Sequence, residues 1–204
     1  MLERFKVPEG DQIRIDHEDL RNTVEAIFSK VGCSQEHATA GADTLVSTDL
    51  RGVETHGVSN MLRAYVREFQ SGKLNSRPEV KVIRETPGTV SLDGDRGLGV
   101  ILAPGAMKRA IDKAKNVGIG VCVMQNSGHM GAIGHHAMLA AKEGMVGMTT
   151  TSGGSGTRVF VLPTFAAEPR FGTNPIAIAA PARSQPYLLF DAATSAIAGN
   201  KIGL

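Results

Sequence analysis

The stretch Gly120-Val-Cys-Val-Met-Gln-Asn-Ser-Gly-His-Met-Gly-Ala-Ile-Gly-His-His-Ala-Met-Leu-Ala-Ala-Lys142 decides the fold of this chain. It opens with Gly120 to Met124, an apolar run of strand length, and closes with Ile133 to Lys142, which has the composition of a helix. A glycine-rich loop, Asn126 to Gly134, lies between the two. A strand, a short loop and a helix in direct succession form the unit from which α/β domains are built. The stretch therefore predicts a sheet covered by helices.

Further strands and one helix flank this unit on both sides. Val80 to Arg84 and Thr89 to Leu92 alternate like strands, and Asp93-Gly94 is a turn signal that ends the second. The remaining expected elements are a helix over Ala103 to Lys115 and strands over Met145 to Thr150, Pro175 to Ala180 and Tyr187 to Phe190. Alternating strands and helices with short connections favour an α/β domain.

The first part of the chain is predicted to be helical. His17 to Val31 places apolar residues on one face, Ser34 is a plausible N-cap for a second helix, and a third helix follows Gly57. We therefore expect a helical N-terminal segment over residues 1–78 and a sheet-containing domain over residues 79–204.

Composition and charge narrow the function. The formal net charge is +2 and no cluster of lysine and arginine stands out, so we expect no nucleic-acid partner. The first residues lack the apolar core of a signal peptide, and no apolar run approaches a membrane span, which predicts a cytoplasmic protein without a membrane partner. Cys33 and Cys122 fit no zinc or redox spacing and are expected to be buried free thiols.

A first candidate site is Arg51-Gly-Val-Glu-Thr-His-Gly57, between two predicted helices. A histidine at such a junction can face a cleft, and its near-neutral pKa suits proton transfer to or from a hydroxyl or carbonyl group. On its own, His56 is equally compatible with a capping or surface role.

The loop Asn126 to Gly134 is a second candidate. Backbone N–H groups at a helix N-terminus can bind an anion such as a cofactor phosphate, but the loop lacks the G-x-G-x-x-G pattern of Rossmann enzymes. His129 with His135 or His136 also leaves a metal-dependent hydrolase open as an alternative, although their spacing disfavours a shared helical face. We expect His135 and His136 to lie on the helix surface.

Two later segments could also contact a ligand. Phe171-Gly-Thr-Asn-Pro175 predicts a tight turn before a strand, which would bring backbone close to a ligand. Phe190-Asp-Ala-Ala-Thr-Ser195 places a carboxylate at the end of a strand, where α/β proteins often bind ligands. Asp191 could stabilise a protonated histidine or simply cap the next helix.

Taken together and in this order, the four segments resemble the malate/L-lactate dehydrogenase family, which is unrelated to the Rossmann enzymes. That family also includes ureidoglycolate, sulfolactate and diketogulonate oxidoreductases. The resemblance implies an α/β (α+β) fold, with a helical N-terminal segment and a non-Rossmann mixed-sheet NAD(P)-binding domain. It also implies hydride transfer between NAD or NADP and a small 2-hydroxy or 2-keto acid such as malate or lactate.

The resemblance assigns roles to individual residues. It makes His56 the proton donor or acceptor, supported by Asp191, and puts Thr55 where a serine is common. His129 matches a second family histidine, to which the proton-transfer role is sometimes given. The positions expected near NAD(P) are His129, Gly131, Ala132, Ser152, Thr173, Asn174, Asp191, Ala192, Ala193, Thr194 and Ser195. No metal ligand is assigned.

Two departures from the family pattern bear on substrate and activity. Many members carry an arginine four residues after the matching histidine, suited to gripping a substrate carboxylate, where this chain has Asn60. Arg51 or Arg63 is expected to take over that contact. Members are also longer, so we expect a chain that lacks a C-terminal part of a homodimeric enzyme. The alternative is a truncated, inactive homologue that serves only as a folding or dimerisation module.

Overall fold

The structure is a computed structural model that describes residues 8–153 and 161–196. The helices are α1 (His17–Lys30), α2 (Gln35–Leu50), α3 (Val58–Gln70), α4 (Gly99–Val117) and α5 (Gly134–Lys142). The strands are β1 (Lys81–Glu85), β2 (Thr89–Gly97), β3 (Val121–Ser127), β4 (Gly147–Thr150), β5 (Ile176–Ala180) and β6 (Leu188–Ala192). The expected fold class is confirmed: three helices precede a mixed α/β part. None of the helices in the described ranges is both long and apolar enough to cross a bilayer.

The strands divide between two three-stranded sheets. In the first, β1 pairs antiparallel with β2, and β2 pairs parallel with β3. The second is antiparallel throughout, in the order β4-β5-β6. The first sheet is therefore mixed, as expected for a fold outside the Rossmann group.

The turn predicted at Asp93-Gly94 is wrong, because β2 continues through it to Gly97. Its pairing with β3 is irregular between Asp93 and Gly97, where Asp95 and Arg96 have φ of 47° and 58°. The Asp93 carboxylate accepts a hydrogen bond of 2.8 Å from the Asp95 amide. This local side-chain bond replaces regular pairing, so a turn-forming sequence is accommodated inside a strand.

Helix α4 begins four residues before the predicted start, at Gly99. Pro104 then lies inside the helix, where it has no N–H to donate to the Val100 carbonyl. The Thr44 hydroxyl of α2 lies 3.0 Å from this carbonyl and donates to it. A side chain of a neighbouring helix thus satisfies the group that proline leaves without its helical partner.

The apolar side chains form two clusters. The larger one joins α1, α2 and α3 to the start of α4, and includes Phe28, Leu45, Tyr65 and Val100. The smaller one packs α5 on the second sheet through Ile133, Ala137, Ala141, Ala177 and Ala179. The candidate site residues lie on or next to the elements that these two clusters pack together. The division into residues 1–78 and 79–204 stays a prediction.

The two cysteines are free, as predicted. Cys33 is buried, and burial raises its thiol pKa to about 11. Cys122 is only half-buried, on the β3 face opposite the exposed Val121 and Val123, so the prediction that it is buried is only partly met.

Candidate active site

The junction between α2 and α3 places His56. The Asp49 carboxylate accepts a hydrogen bond of 2.9 Å from the Val58 amide and so caps the start of α3. A Cβ atom at Gly57 would overlap the same carboxylate. Burial raises the pKa of Asp49, although the bond from Val58 opposes this. The close approach of carboxylate and backbone explains why the sequence has glycine directly after His56.

His56 ends a 3₁₀ turn over Glu54–His56. Its Nδ1 atom lies 2.9 Å from the hydroxyl of Thr55, which is buried. The Asn60 amide donates a hydrogen bond of 2.7 Å to the Glu54 carbonyl and closes the turn against α3. Asn60 is therefore engaged within its own segment, and its role in substrate binding stays a prediction that this contact does not favour.

The structure brings His129 next to His56. The two rings are stacked with centroids 5.6 Å apart and an interplanar angle of 20°. His129 Nδ1 lies 2.7 Å from the Tyr65 hydroxyl and 3.2 Å from the Gly131 amide nitrogen, which donates to it. His129 is exposed overall, although one of its ring nitrogens is engaged in these hydrogen bonds.

Asp191 joins β6 to the start of α5 and to the arginine of the first motif. Its Oδ2 atom accepts a hydrogen bond of 2.8 Å from the Gly134 amide, and a Cβ atom at Gly134 would overlap the carboxylate. Arg51 Nη2 lies 3.9 Å from the same oxygen. The anion at this helix N-terminus is thus the chain's own carboxylate, where the sequence suggested a cofactor phosphate.

Arg51 keeps one unused donor beside this pair. Its Nη1 atom is buried and has no hydrogen-bond partner within the described ranges. A buried guanidinium N–H without an acceptor is unfavourable, and a ligand carboxylate would satisfy it.

The protein environment favours the neutral form of both candidate histidines. Burial lowers the pKa of His56, while the negative charge of Asp191 opposes this and favours the imidazolium form. The surrounding protein lowers the pKa of His129 to about 4, and the neighbouring His56 adds to the shift. Of the two histidines, His56 is the one whose protonated form the charge of Asp191 favours, as expected for a proton acceptor.

The prediction that His135 and His136 lie on the helix surface is wrong, because both side chains of α5 are buried. His135 Nδ1 lies 2.7 Å from the Ser47 hydroxyl of α2, and His136 Nε2 lies 3.0 Å from the Met130 carbonyl. Burial lowers their pKa values to about 3 and about 4. In the part of the chain that the structure describes, no three side chains gather as a metal site. Contacts within the protein thus engage one nitrogen of each ring, whereas His136 Nδ1 is buried without a hydrogen-bond partner among the described residues.

The two late motifs meet at the edge of the second sheet. The Thr194 amide donates to the Thr173 carbonyl at 2.9 Å, and the Thr194 hydroxyl lies 3.1 Å from the carbonyls of Thr173 and Asn174. Asn174 has a φ of 40°, but residues 172–175 form no turn, so the tight turn expected before β5 is wrong. Thr194 follows Asp191 by three residues in the chain. Ser152 is exposed and follows the end of β4. Their contact with a cofactor stays a prediction.

The structure places Arg63 on another surface. It lines a groove of about 440 Å³ between α1 and α3, together with Ile27, Leu62, Val66 and Arg67. Neither candidate histidine lines this groove, so the placement does not favour Arg63 as a substrate ligand.

Sequence reasoning missed Tyr65 as a site residue. Its spacing predicts only an apolar-face position on α3, and the structure does bury its ring in the larger cluster. The signal available from sequence was weak: a buried tyrosine needs a hydrogen-bond partner. Its partner, His129, is 64 residues away in the chain.

Comparison with known proteins gives this site a context. The family profile for malate/L-lactate dehydrogenase matches residues 15–204. A malate dehydrogenase of Pyrococcus abyssi is 43% identical over 202 residues, covering 99% of this chain and 54% of that protein. The ureidoglycolate dehydrogenase (NAD(+)) of Escherichia coli is 32% identical over 190 residues, covering 93% of this chain and 53% of that protein.

A solved structure supports the same family relationship as the profile and the two relatives. The malate dehydrogenase from Pyrococcus horikoshii matches with a TM-score of 0.90 and 42% sequence identity, covering 99% of this chain and 56% of that chain. The chain spans about half the length of the curated relatives it matches. Sequence and fold agree over nearly all of its residues, so the chain belongs to the malate/L-lactate dehydrogenase family.

Proposed function

We propose that this chain carries the acid–base and substrate-binding groups of a nicotinamide-dependent 2-hydroxy-acid dehydrogenase. The observation that carries the proposal is the stacked pair of His56 and His129, with Asp191 acting on one member of it. A neutral imidazole that a nearby carboxylate stabilises when protonated is suited to taking the hydroxyl proton of an alcohol.

His56 is the proposed proton acceptor in the oxidation of a 2-hydroxy acid. Asp191 would stabilise the imidazolium form, and the Thr55 hydroxyl would orient the ring through Nδ1. His129, which is exposed and stacked on His56, is the competing candidate for this role.

Arg51 is the proposed ligand of the substrate carboxylate. Its buried Nη1 atom lacks an acceptor, and its other nitrogen already faces Asp191. A 2-hydroxy or 2-keto acid would supply the missing acceptor beside the histidine pair. This class includes malate and ureidoglycolate, the substrates that the names of two relatives give.

A nicotinamide cofactor, NAD or NADP, is part of the proposal. When bound, it accepts a hydride from the substrate carbon or returns one. The residues proposed to hold it are Gly131, Ala132, Ser152, Thr173, Asn174 and the segment from Asp191 to Ser195. The support is the position of Gly131 two residues after His129, where it lies against Val100 and offers a ligand only its backbone.

Two further parts of the proposal rest on the family resemblance and on the N-terminal sequence: assembly as a homodimer and a cytoplasmic location. Because the chain spans about half of its relatives' length, activity of the 204 residues alone is itself part of the proposal. The alternative is an inactive homologue that serves only as a folding or dimerisation module.

The test is a panel of 2-keto acids with NADH and NADPH, followed by absorbance of the reduced cofactor. We expect turnover with at least one acid, and a loss of at least about 100-fold in kcat for His56→Gln. His17→Gln is the matched control, since His17 lies half-exposed at the start of α1, and it should leave turnover unchanged. Normal turnover in His56→Gln would contradict the assignment, and absence of turnover with every acid would favour the inactive module.

A further inference from the structure

The surroundings of His129 determine which of its ring nitrogens carries the proton. The Gly131 amide lies 3.2 Å from Nδ1 and is directed at it as a donor. A backbone N–H can only donate, so Nδ1 must offer its lone pair. In a neutral imidazole the proton then resides on Nε2.

The Tyr65 hydroxyl must act in the same sense. It lies 2.7 Å from Nδ1, which has no proton to give, so tyrosine is the donor. The side chain is 1% exposed within the larger apolar cluster, and burial raises its pKa far above the usual value, which keeps the hydroxyl protonated. A fixed, permanently protonated donor therefore faces His129 from α3.

We propose that Tyr65 is a positioning residue that, with the Gly131 amide, holds His129 as the tautomer with its proton on Nε2. Two donors on Nδ1 come from different elements, α3 and the loop before α5, so they fix both the tautomer and the ring plane. The remaining N–H, on Nε2, is then the one available to a ligand of this exposed residue.

This inference rests on the proposed function for its consequence, which is a division of roles between the two histidines. Protonation of His129 would put a proton on Nδ1, which would break the bond from the Gly131 amide and force the Tyr65 hydroxyl to reverse from donor to acceptor. His129 therefore serves as a hydrogen-bond donor to the substrate oxygen and does not change its protonation. In oxidation, the hydroxyl proton passes to His56 and the C2 hydride passes to the nicotinamide, so His129 neither gains nor loses a proton.

The tautomer can be read directly by NMR of the chain labelled with ¹⁵N-histidine, at pH 7 and without substrate or cofactor. The chain has six histidines, and His129→Gln identifies the signals of His129 by their loss. We expect correlations of an unprotonated Nδ1 and a protonated Nε2. A proton on Nδ1 in the unaltered chain would overturn the inference, and no tyrosine variant is needed for that result.

The part played by tyrosine is tested by Tyr65→Phe, which keeps the ring and removes the hydroxyl. We expect the share of the other tautomer to rise by about two- to tenfold, the change that loss of one neutral hydrogen bond produces. The pKa of His129 should rise as well, because the hydroxyl donates to the neutral ring and would have to reverse to accept from the protonated one. The groups facing His129 in this titration are His56, stacked on it, and Tyr65 itself.

The matched control is Tyr187→Phe, because Tyr187 is the only other tyrosine and is exposed. It should leave the His129 signals unchanged. An unaltered tautomer share and pKa in Tyr65→Phe, with the other histidine signals in their native positions, would overturn the role of Tyr65. Since these measurements use no substrate, a missing turnover would count against the proposed function alone.

Discussion

Gly57 and Gly134 both lie where an added side chain would collide with a carboxylate. The first faces Asp49 and the second faces Asp191, and in each case the carboxylate accepts from the start of the following helix. Glycine is therefore required by the side chain that caps the helix rather than by an unusual backbone angle. These two contacts fix where α3 and α5 begin relative to His56 and His129.

We predict that Gly57→Ala lowers the free energy of unfolding by about 1–3 kcal/mol, because the new methyl group must displace the Asp49 carboxylate. Gly105→Ala is the matched control. Gly105 lies inside α4 with open space where a Cβ would stand, so alanine there should stabilise by about 0.5–1 kcal/mol. Urea denaturation of both variants measures the two changes, and equal signs would contradict the explanation.

At the scale of residues, the sequence indicated His56 and Asp191 as candidates, whose catalytic roles stay predictions, but it did not reveal their environment. Both belong to contiguous motifs, so the order of motifs along the chain identifies them. The orientation of His135 could not be read in the same way. Helix α5 is only nine residues long and is covered by Ser47 of α2, so local periodicity does not reveal which face is buried.

Among the secondary-structure elements, α2 and α4 illustrate how one helix supports an irregularity in another. The Thr44 hydroxyl lies 2.9 Å from the Ala40 carbonyl in its own helix and 3.0 Å from the Val100 carbonyl in α4. The second contact is the one that matters, because Pro104 cannot supply the usual helical donor. The start of α4, which packs in the larger cluster, is thereby fixed against α2.

We predict that Thr44→Val destabilises the chain by about 1–3 kcal/mol, since it leaves a buried carbonyl without its donor while preserving shape. Thr39→Val is the control. The Thr39 hydroxyl donates to the Gln35 carbonyl of its own helix at 3.0 Å, near the surface. This bond does not reach another helix. Substitution of Thr39 should change stability by less than about 0.5 kcal/mol. Thermal or urea unfolding that shows equal effects would refute the cross-helix explanation.

The elements themselves were largely predictable, and their ends were not. Apolar periodicity and the N-cap at Ser34 anticipate the helices well. The two clear departures, the end of β2 and the start of α4, arise where a tertiary contact overrides a local signal. β3 pairs with β2 beyond Asp93-Gly94, and α2 compensates Pro104.

In the molecule as a whole, buried histidines link stability to pH. His135 and His136 are 7% and 0% exposed, and their pKa values in the folded chain are about 3 and about 4. The ordinary value is about 6.5, so below that pH the unfolded chain binds protons that the folded chain does not. Their contribution to stability is complete above about pH 6.5 and is lost as the pH falls toward 4.

We therefore predict that the free energy of unfolding decreases between pH 6.5 and 4, with up to about 1.4 kcal/mol per pH unit for each of these two histidines. Urea titrations at several pH values measure the slope. His135→Asn removes one titrating group and should give a shallower slope than the unaltered chain. An identical slope in the variant would show that His135 does not contribute.

The contact between Gly134 and Asp191 has a consequence for how the chain acquires its site. The two residues are 57 positions apart, and the bond between them is the cap of α5. Closing the chain between Gly134 and Asp191 costs entropy that the finished contacts must offset. On a ribosome that synthesises the chain from its N-terminus, both histidines emerge well before β6 does. Until β6 pairs with β5, His56 therefore lacks the negative charge of Asp191, which offsets part of the pKa lowering that burial causes.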